Sequence, residues 1–323
     1  MSGSRSMPSL FALADTGELV ESVCVDNPGL VKFMECIDDN TVISGGGSKS
    51  SGNDTKTVYG EWKNVVYKQG GYCKVKWGQG SPYNNYCPVL DGKNAKTGCV
   101  ATAVAQLMSI YKHPVSHNGY SYSWSEMTAS KKASGCSLKG QSQIARLMAE
   151  LGLGGNLSMD YGVSASGAKP DNIARTLTNF GYSSGGSLKG YNTDEVVSEI
   201  KRGNSVLAVG YSFKTEKKVL GIHVKTTYSG GHCWLFHGLM ERRREVKTYD
   251  GKNVLIEAKT ECLWYPLCNW GWDGLSDGYY LSGAFDAMSG PSYTDQLKSK
   301  TLVESGSEYN YQYSLMAVTG IRK

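Results

Sequence analysis

GCVATAVAQLMSIYKHP, residues 98–114, is the stretch that decides the fold. Val100, Ala101, Ala103, Val104, Leu107, Met108, Ile110 and Tyr111 leave a helix over 99–112 with almost no polar face, so it must be buried on nearly every side. His113-Pro114 stops it. Upstream, Trp77-Gly78-Gln79, Pro82-Tyr83-Asn84 and Cys87-Pro88 read as loop. Downstream, the spacing predicts helices over 141–151 and 170–180. Another opens at Asn192, with Glu195 three residues on in a capping-box spacing. After residue 204 the pattern turns to strands over 205–211, 232–239, 246–249, 254–258, 279–281 and 309–315. Asp250-Gly251 marks a hairpin between two of them. Helices first and antiparallel strands second predict an α+β fold with two lobes and a cleft between them.

Composition narrows the function classes. The chain has 323 residues, with 40 Gly, nine Cys and a net charge of +5. No apolar run is long enough for a transmembrane helix, and the glycines follow no collagen triplet. The one dense basic run, Arg242-Arg243-Arg244, is flanked by Glu241 and Glu245 and lacks the basic face of a nucleic-acid site. No C-x-x-C pair occurs, so a zinc ribbon or redox motif has no foothold; Cys262 and Cys268 are spaced to pair or to ligate a metal, a weak signal alone. An odd cysteine count leaves at least one thiol outside intrachain disulfides.

Cys99 opens the buried helix, where unpaired backbone N–H groups and the helix dipole favour a thiolate and an oxyanion alike. Cysteine also packs as a small apolar residue, and position alone leaves both readings open. A thiolate nucleophile needs a histidine base held by a third group. His113 and His117 follow the far end of the helix, roughly 20 Å from Cys99 at 1.5 Å per residue. His232 follows Ser229-Gly230-Gly231, where the backbone leaves room for a substrate. With period 2, His232, Trp234 and Phe236 share one strand face and Cys233, Leu235 and His237 the other, so His232 and His237 do not both face Cys99. Asn269 supplies a carbonyl that can orient an imidazole, Trp270 can shield that bond from water, and the Gln79 amide suits an oxyanion hole.

Four blocks, WGQGSPYNNYCP at 77–88, TGCVATAVAQLMSIYKHP at 97–114, GGHCWLFHGL at 230–239 and NWGWDGLSDGYYL at 269–281, resemble the streptopain family of papain-like cysteine peptidases over about residues 58–320. The resemblance implies a papain-like fold, with a mainly helical first lobe around the central helix and an antiparallel β second lobe. It implies Cys99 as nucleophile, His232 as general base and acid, Asn269 as imidazole orienter, and Gln79 in the oxyanion hole. Trp270, Trp272, Gly98, Gly231, Ser164 and Ser166 are the expected shielding or substrate-binding positions, the last two on a loop at 161–168. No metal or cofactor is expected, and the partners are protein or peptide substrates, with no nucleic acid.

PSLFALADTGEL and NPGLVKFMECI are similar to the end of the family's propeptide. The expected division is therefore a propeptide-like segment at 1–43, a Gly/Ser-rich flexible linker at 44–57 containing the activation cleavage, and a catalytic domain at 58–323. The propeptide would act as inhibitor. A secreted or cell-envelope bacterial location follows from the resemblance, while MSGSRSM lacks the features of a signal peptide. Two departures stand out: the stretch between His232 and Asn269 is longer than the family's hairpin, with scope to reshape or gate the cleft, and Cys233 and His237 replace a small residue and Asp. Rival readings are an inactive secreted binding protein using the same cleft and a papain-like acyltransferase. A metal hydrolase is least favoured, because Pro114 breaks the helix between His113 and His117.

Overall fold

Helix α1 (Cys99–Tyr111) is buried at every position from Val100 to Ser109. The computed structural model describes residues 55–219, 222–293 and 309–323. The expected propeptide-like segment at 1–43 and most of the linker lie outside them. Lys112 closes α1 in the left-handed conformation (φ 49°), its N–H donating to the Met108 carbonyl. Leu107 and Met108 are wholly buried, and truncating either to Ala should cost about 2–5 kcal/mol.

Strands β1 (Lys56–Tyr59) and β2 (Lys63–Tyr67) precede this helix, as does the short hairpin β3 (Val89–Leu90) and β4 (Lys93–Asn94). After it come β5 (Ser116–His117), β6 (Tyr120–Ser121), α2 (Trp124–Met127), α3 (Leu138–Gly152) and α4 (Asn172–Asn179). The chain continues through β7 (Ser184–Gly190), α5 (Thr193–Lys201), β8 (Val206–Val219), β9 (Ile222–Tyr249) and β10 (Leu255–Asn269). It ends with β11 (Gly278–Tyr279), β12 (Phe285–Asp286), β13 (Asn310–Tyr311) and β14 (Tyr313–Arg322). The main sheet runs β11-β10-β9-β8-β14-β7, with β1 and β2 also paired to β9.

The helices expected within the described residues all form. Asn192 caps α5 by accepting the Glu195 N–H at 2.9 Å. The strand readings are corrected in several places, β8 and β10 running far past the expected ends at 211 and 258. Strand β7, SGGSLKG, has a loop's composition yet pairs along β14. Its Gly185 lets helix α4 pack directly on the strand, since a Cβ there would overlap the Ala174 carbonyl. Strand β9 is far longer than 232–239. Its first half pairs with β8 and its second half with β1 and β2, while β10 runs along the other edge of that second half. Lys56 and Thr57, expected in the linker, are already strand.

Strand alternation divides the core as period 2 requires. Cys233 and Leu235 join α1, α3 and Trp77 in one apolar cluster. Trp234 and Phe236 face the other way, against α5, Trp270, Tyr280 and Phe285.

Candidate active site

Gly98 sets the start of α1 with φ 84°, and a Cβ there would meet the Met159 sulfur at 2.8 Å and the Ser166 carbonyl at 3.0 Å. Glycine is therefore required for the turn that delivers Cys99. The Cys99 side chain is half-buried. Against the expectation of a favoured thiolate, burial raises its thiol pKa overall, and the backbone N–H groups of Cys233, Val100 and Cys99 itself offset this only in part. The sulfur thus lies at the backbone of Cys233, the residue that follows His232.

His232 is buried on β9, its ring between Trp272 (centroids 4.7 Å) and Tyr311 (5.2 Å). Burial lowers its pKa to about 4, and a 2.9 Å hydrogen bond to the Trp270 carbonyl pulls the other way. That carbonyl can only accept, so Nε2 carries the proton and Nδ1 keeps its lone pair.

The expected Asn269–imidazole bond is not the one found. Asn269 donates to the Val75 carbonyl at 2.9 Å, and its Oδ1 accepts the Gly271 N–H at 3.2 Å. Asn269 is buried and ties the 269–271 turn to the Val75 segment, while the next residue's carbonyl meets His232. Trp270 itself is fully buried and packs on Trp234 at 4.9 Å; Trp272 is the indole nearer the imidazole.

A cleft of about 590 Å³ is lined by Gln79, Ser164, Ala165, Gly231, His232 and Trp272, together with Gly80, Lys96, Ser212, Phe213, Gly230, Gly271, Asp273, Tyr309 and Tyr311. Gln79 is held there through its neighbours. Its carbonyl accepts the Thr97 N–H at 3.1 Å, and the buried Gln106 side chain on α1 accepts the Trp77 N–H at 3.0 Å. Ser164 faces the cleft, whereas the Ser166 hydroxyl donates to the Lys96 carbonyl at 2.7 Å and accepts the Gly162 N–H at 3.0 Å. Ser166 is a brace for the loop.

Sequence reasoning missed Asp277. Its Oδ1 accepts the Trp270 N–H at 3.0 Å, and Lys76 lies 3.7 Å from Oδ2. Burial raises its carboxyl pKa to about 6. Asp277 falls inside the block at 269–281, but nothing in its spacing marks a contact seven residues back.

His237 points away from the cleft face; its Nδ1 accepts the Cys73 N–H at 3.2 Å, and burial lowers its pKa to about 3. All seven cysteines among the described residues are free thiols, Cys262 and Cys268 included. Cys262 donates to Glu241 at 3.2 Å. The long β9–β10 extension carries the arginine triplet away from the cleft lining. Arg242 and Arg244 cover Trp62 at 5.5 and 4.6 Å, and Arg244 pairs with Glu261 at 2.7 Å. The extension pairs with β1 and β2 along one edge.

A buried helix that begins at a cysteine, packed on an antiparallel sheet that carries a histidine at the cleft, is the papain-like two-lobed α+β fold. The chain belongs to the peptidase C10 family, whose sequence model matches residues 77–280. It is 26% identical over 253 residues to streptopain of Streptococcus pyogenes serotype M1, covering 66% of this chain and 54% of that protein. The chain therefore spans about half the length of the curated relatives it matches. A 56-residue stretch, 17% of this chain and 6% of the relative, is 46% identical to the thiol protease/hemagglutinin PrtT of Porphyromonas gingivalis. The fold matches active interpain A cysteine protease of Prevotella intermedia with a TM-score of 0.52 at 22% identity, over 80% of this chain and 96% of that one. A prointerpain A fragment matches at 0.51 and 20% identity, over 100% of this chain and 91% of the fragment. No helix among the described residues is long and apolar enough to cross a membrane.

Proposed function

We propose that this chain is a cysteine endopeptidase that hydrolyses protein or peptide substrates through a thioester acyl-enzyme, is secreted or held at a bacterial cell envelope, and is kept latent by residues 1–43. The observation that carries the reading is the placement of Cys99 at a helix start with its sulfur against the N–H of Cys233, the residue after His232, which lines a cleft together with Gln79. His232 Nδ1 takes the Cys99 proton as the sulfur attacks the scissile carbonyl. The oxyanion forms between the Cys99 N–H and the Gln79 amide, each such donor being worth about 10²–10³ in rate. Imidazolium then protonates the leaving amine, and water activated by the same ring releases the acyl group, steps typically worth about 10²–10⁴. Trp270 fixes the ring through its carbonyl, and Trp272 and Tyr311 exclude water from its faces.

Incubating the chain and its Cys99→Ala variant with a denatured protein, then sequencing the fragments, tests the reading. Fragments from the parent and none from the variant are expected. Equal fragmentation by the variant would sink it. Adding a free amine and analysing products distinguishes hydrolysis from acyl transfer.

A further inference from the structure

Lys96 and Asp273 are the lining residues of the cleft that carry formal charge, His232 being neutral. They are not equivalent. The Asp273 carboxylate accepts the Tyr83 hydroxyl at 2.9 Å and lies against Gly78, where a Cβ would overlap it. Lys96 has no carboxylate partner within 4 Å among the described residues. Its backbone is clamped on both sides, its N–H donating to Gly162 at 3.0 Å and its carbonyl accepting the Ser166 hydroxyl at 2.7 Å. The ammonium reaches over Gly80, 3.3 Å from where a Cβ would stand. Gly80 follows Gln79, so this charge lies one residue from the group assigned to the oxyanion.

The cleft lining carries a second unmatched polar group. Ser212 is 1% exposed and lines the cleft, and its Oγ has no hydrogen-bond partner among the described residues. A buried hydroxyl without a partner is costly, which a polar ligand would relieve and an apolar one would not.

We propose that Lys96 makes the cleft selective for peptides with a carboxylate side chain, Asp or Glu, on the residue whose carbonyl is attacked. The inference rests on the peptidase reading above. With the carbonyl oxygen at Gln79, the side chain on the adjoining α-carbon comes within reach of the Lys96 ammonium over Gly80. A half-buried charge pair supports about a fivefold preference, and salt should weaken it.

The test uses peptides identical except for Glu, Gln or Lys at the position before the cleaved bond, with the full chain incubated until its activity is constant. The expected result is kcat/KM about fivefold higher for Glu than for Gln, lowest for Lys, with the spread shrinking in 0.5 M salt. In Lys96→Met the Glu and Gln peptides should become equal while Gln cleavage persists, which also shows that the variant folds. Cleavage of all three at one rate, or a Glu preference that survives Lys96→Met, overturns this proposal alone. Failure to cleave any of them overturns the peptidase reading and this proposal with it.

Discussion

The imidazole of His232 is held by a backbone atom: its Nε2 lies 2.9 Å from the carbonyl oxygen of Trp270. A side-chain orienter such as the expected Asn269 can be lost by one substitution, but a carbonyl is present whatever residue stands there. What can vary is the position of the peptide, and that is set by neighbours. Asp277 holds the Trp270 N–H at 3.0 Å, and Asn269 holds the turn from the other side.

Asp277 should therefore act on His232 through Trp270, as a positioning residue. Asp277→Ala is expected to lower kcat about tenfold or more with KM within twofold, because misorienting a general base raises the barrier without touching substrate. Asp277→Asn keeps an acceptor oxygen of the same size and should recover most of the loss. Steady-state kinetics on both variants decide it; an Asn variant as poor as the Ala variant would mean that the charge beside Lys76, not the acceptor, matters.

The low pKa of His232 carries a pH prediction. The proposed base must be neutral to take the Cys99 proton, and burial keeps it neutral down to about pH 4. The acid limb of kcat/KM should lie well below the ordinary histidine value of 6.5, with most activity retained at pH 5.5. A midpoint near 6.5 would show a solvated imidazole. Stability moves in the same window. His232 and His237, with folded pKa values of about 4 and about 3, leave the unfolded chain to bind protons first, so stability present above about pH 6.5 is lost as pH falls. Asp277, raised to about 6, opposes this because its protonation favours the folded state. Two histidines outweigh one carboxyl, leaving a net loss of roughly 2–3 kcal/mol by pH 5. Thermal melts of Cys99→Ala should show the fall in Tm, and adding His237→Asn, which keeps an acceptor for Cys73, should reduce it.

Gly98 and Ser166 meet at one point, where the carbonyl of the second blocks any Cβ on the first. Gly98→Ala must adopt φ 84° against those contacts, a strain on the order of 1–3 kcal/mol. The relief available is a shift of the α1 start, which displaces Cys99, so kcat should fall along with Tm. Ser166→Ala instead releases the loop from Lys96 while leaving Cys99 in place. Its expected signature is a raised KM with kcat little changed. Identical signatures from the two variants would mean that the loop and the helix start move as one body.

How much of this was legible in the sequence depends on how local the determinants are. Helix α1 could be read outright, because an apolar residue on every side of the wheel admits one environment. The Asn192 cap was readable for the same reason, its partner being three residues away. Strand β7 was not, since its glycines are chosen for α4 and β14, elements distant in sequence. The site divides likewise. Cys99, Gly98 and His232 announce themselves by residue type and flanking glycines. The Trp270 carbonyl cannot, because every residue has one, and Asp277 is marked only by the fold that brings it to Trp270. The arginine triplet was equally unreadable: its flanking acids argue against a nucleic-acid site, but only the pairing of β9 with β1 and β2 shows Arg242 and Arg244 packing on Trp62.

The position of β1 constrains where the proposed activation can cut. Lys56, Thr57, Val58 and Tyr59 pair in register with Tyr249, Thr248, Lys247 and Val246, and the Gly60 N–H donates to Glu245 at 2.7 Å. The Arg244 guanidinium covers the Tyr59 ring at 4.3 Å and is itself fixed by Glu261. A protease must draw several residues around the scissile bond into an extended conformation of its own, and residues already hydrogen-bonded into a sheet have first to be peeled off. The bond cut on activation should therefore lie before Lys56, within the Gly/Ser-rich stretch, and β1 should stay with the catalytic domain. Sequencing the new amino terminus after self-processing checks this, with a start at or before Lys56 expected. A mature chain beginning after Tyr59 would mean that β1 leaves with the propeptide. In that case its departure, which uncovers the β9 edge, would have to be part of activation.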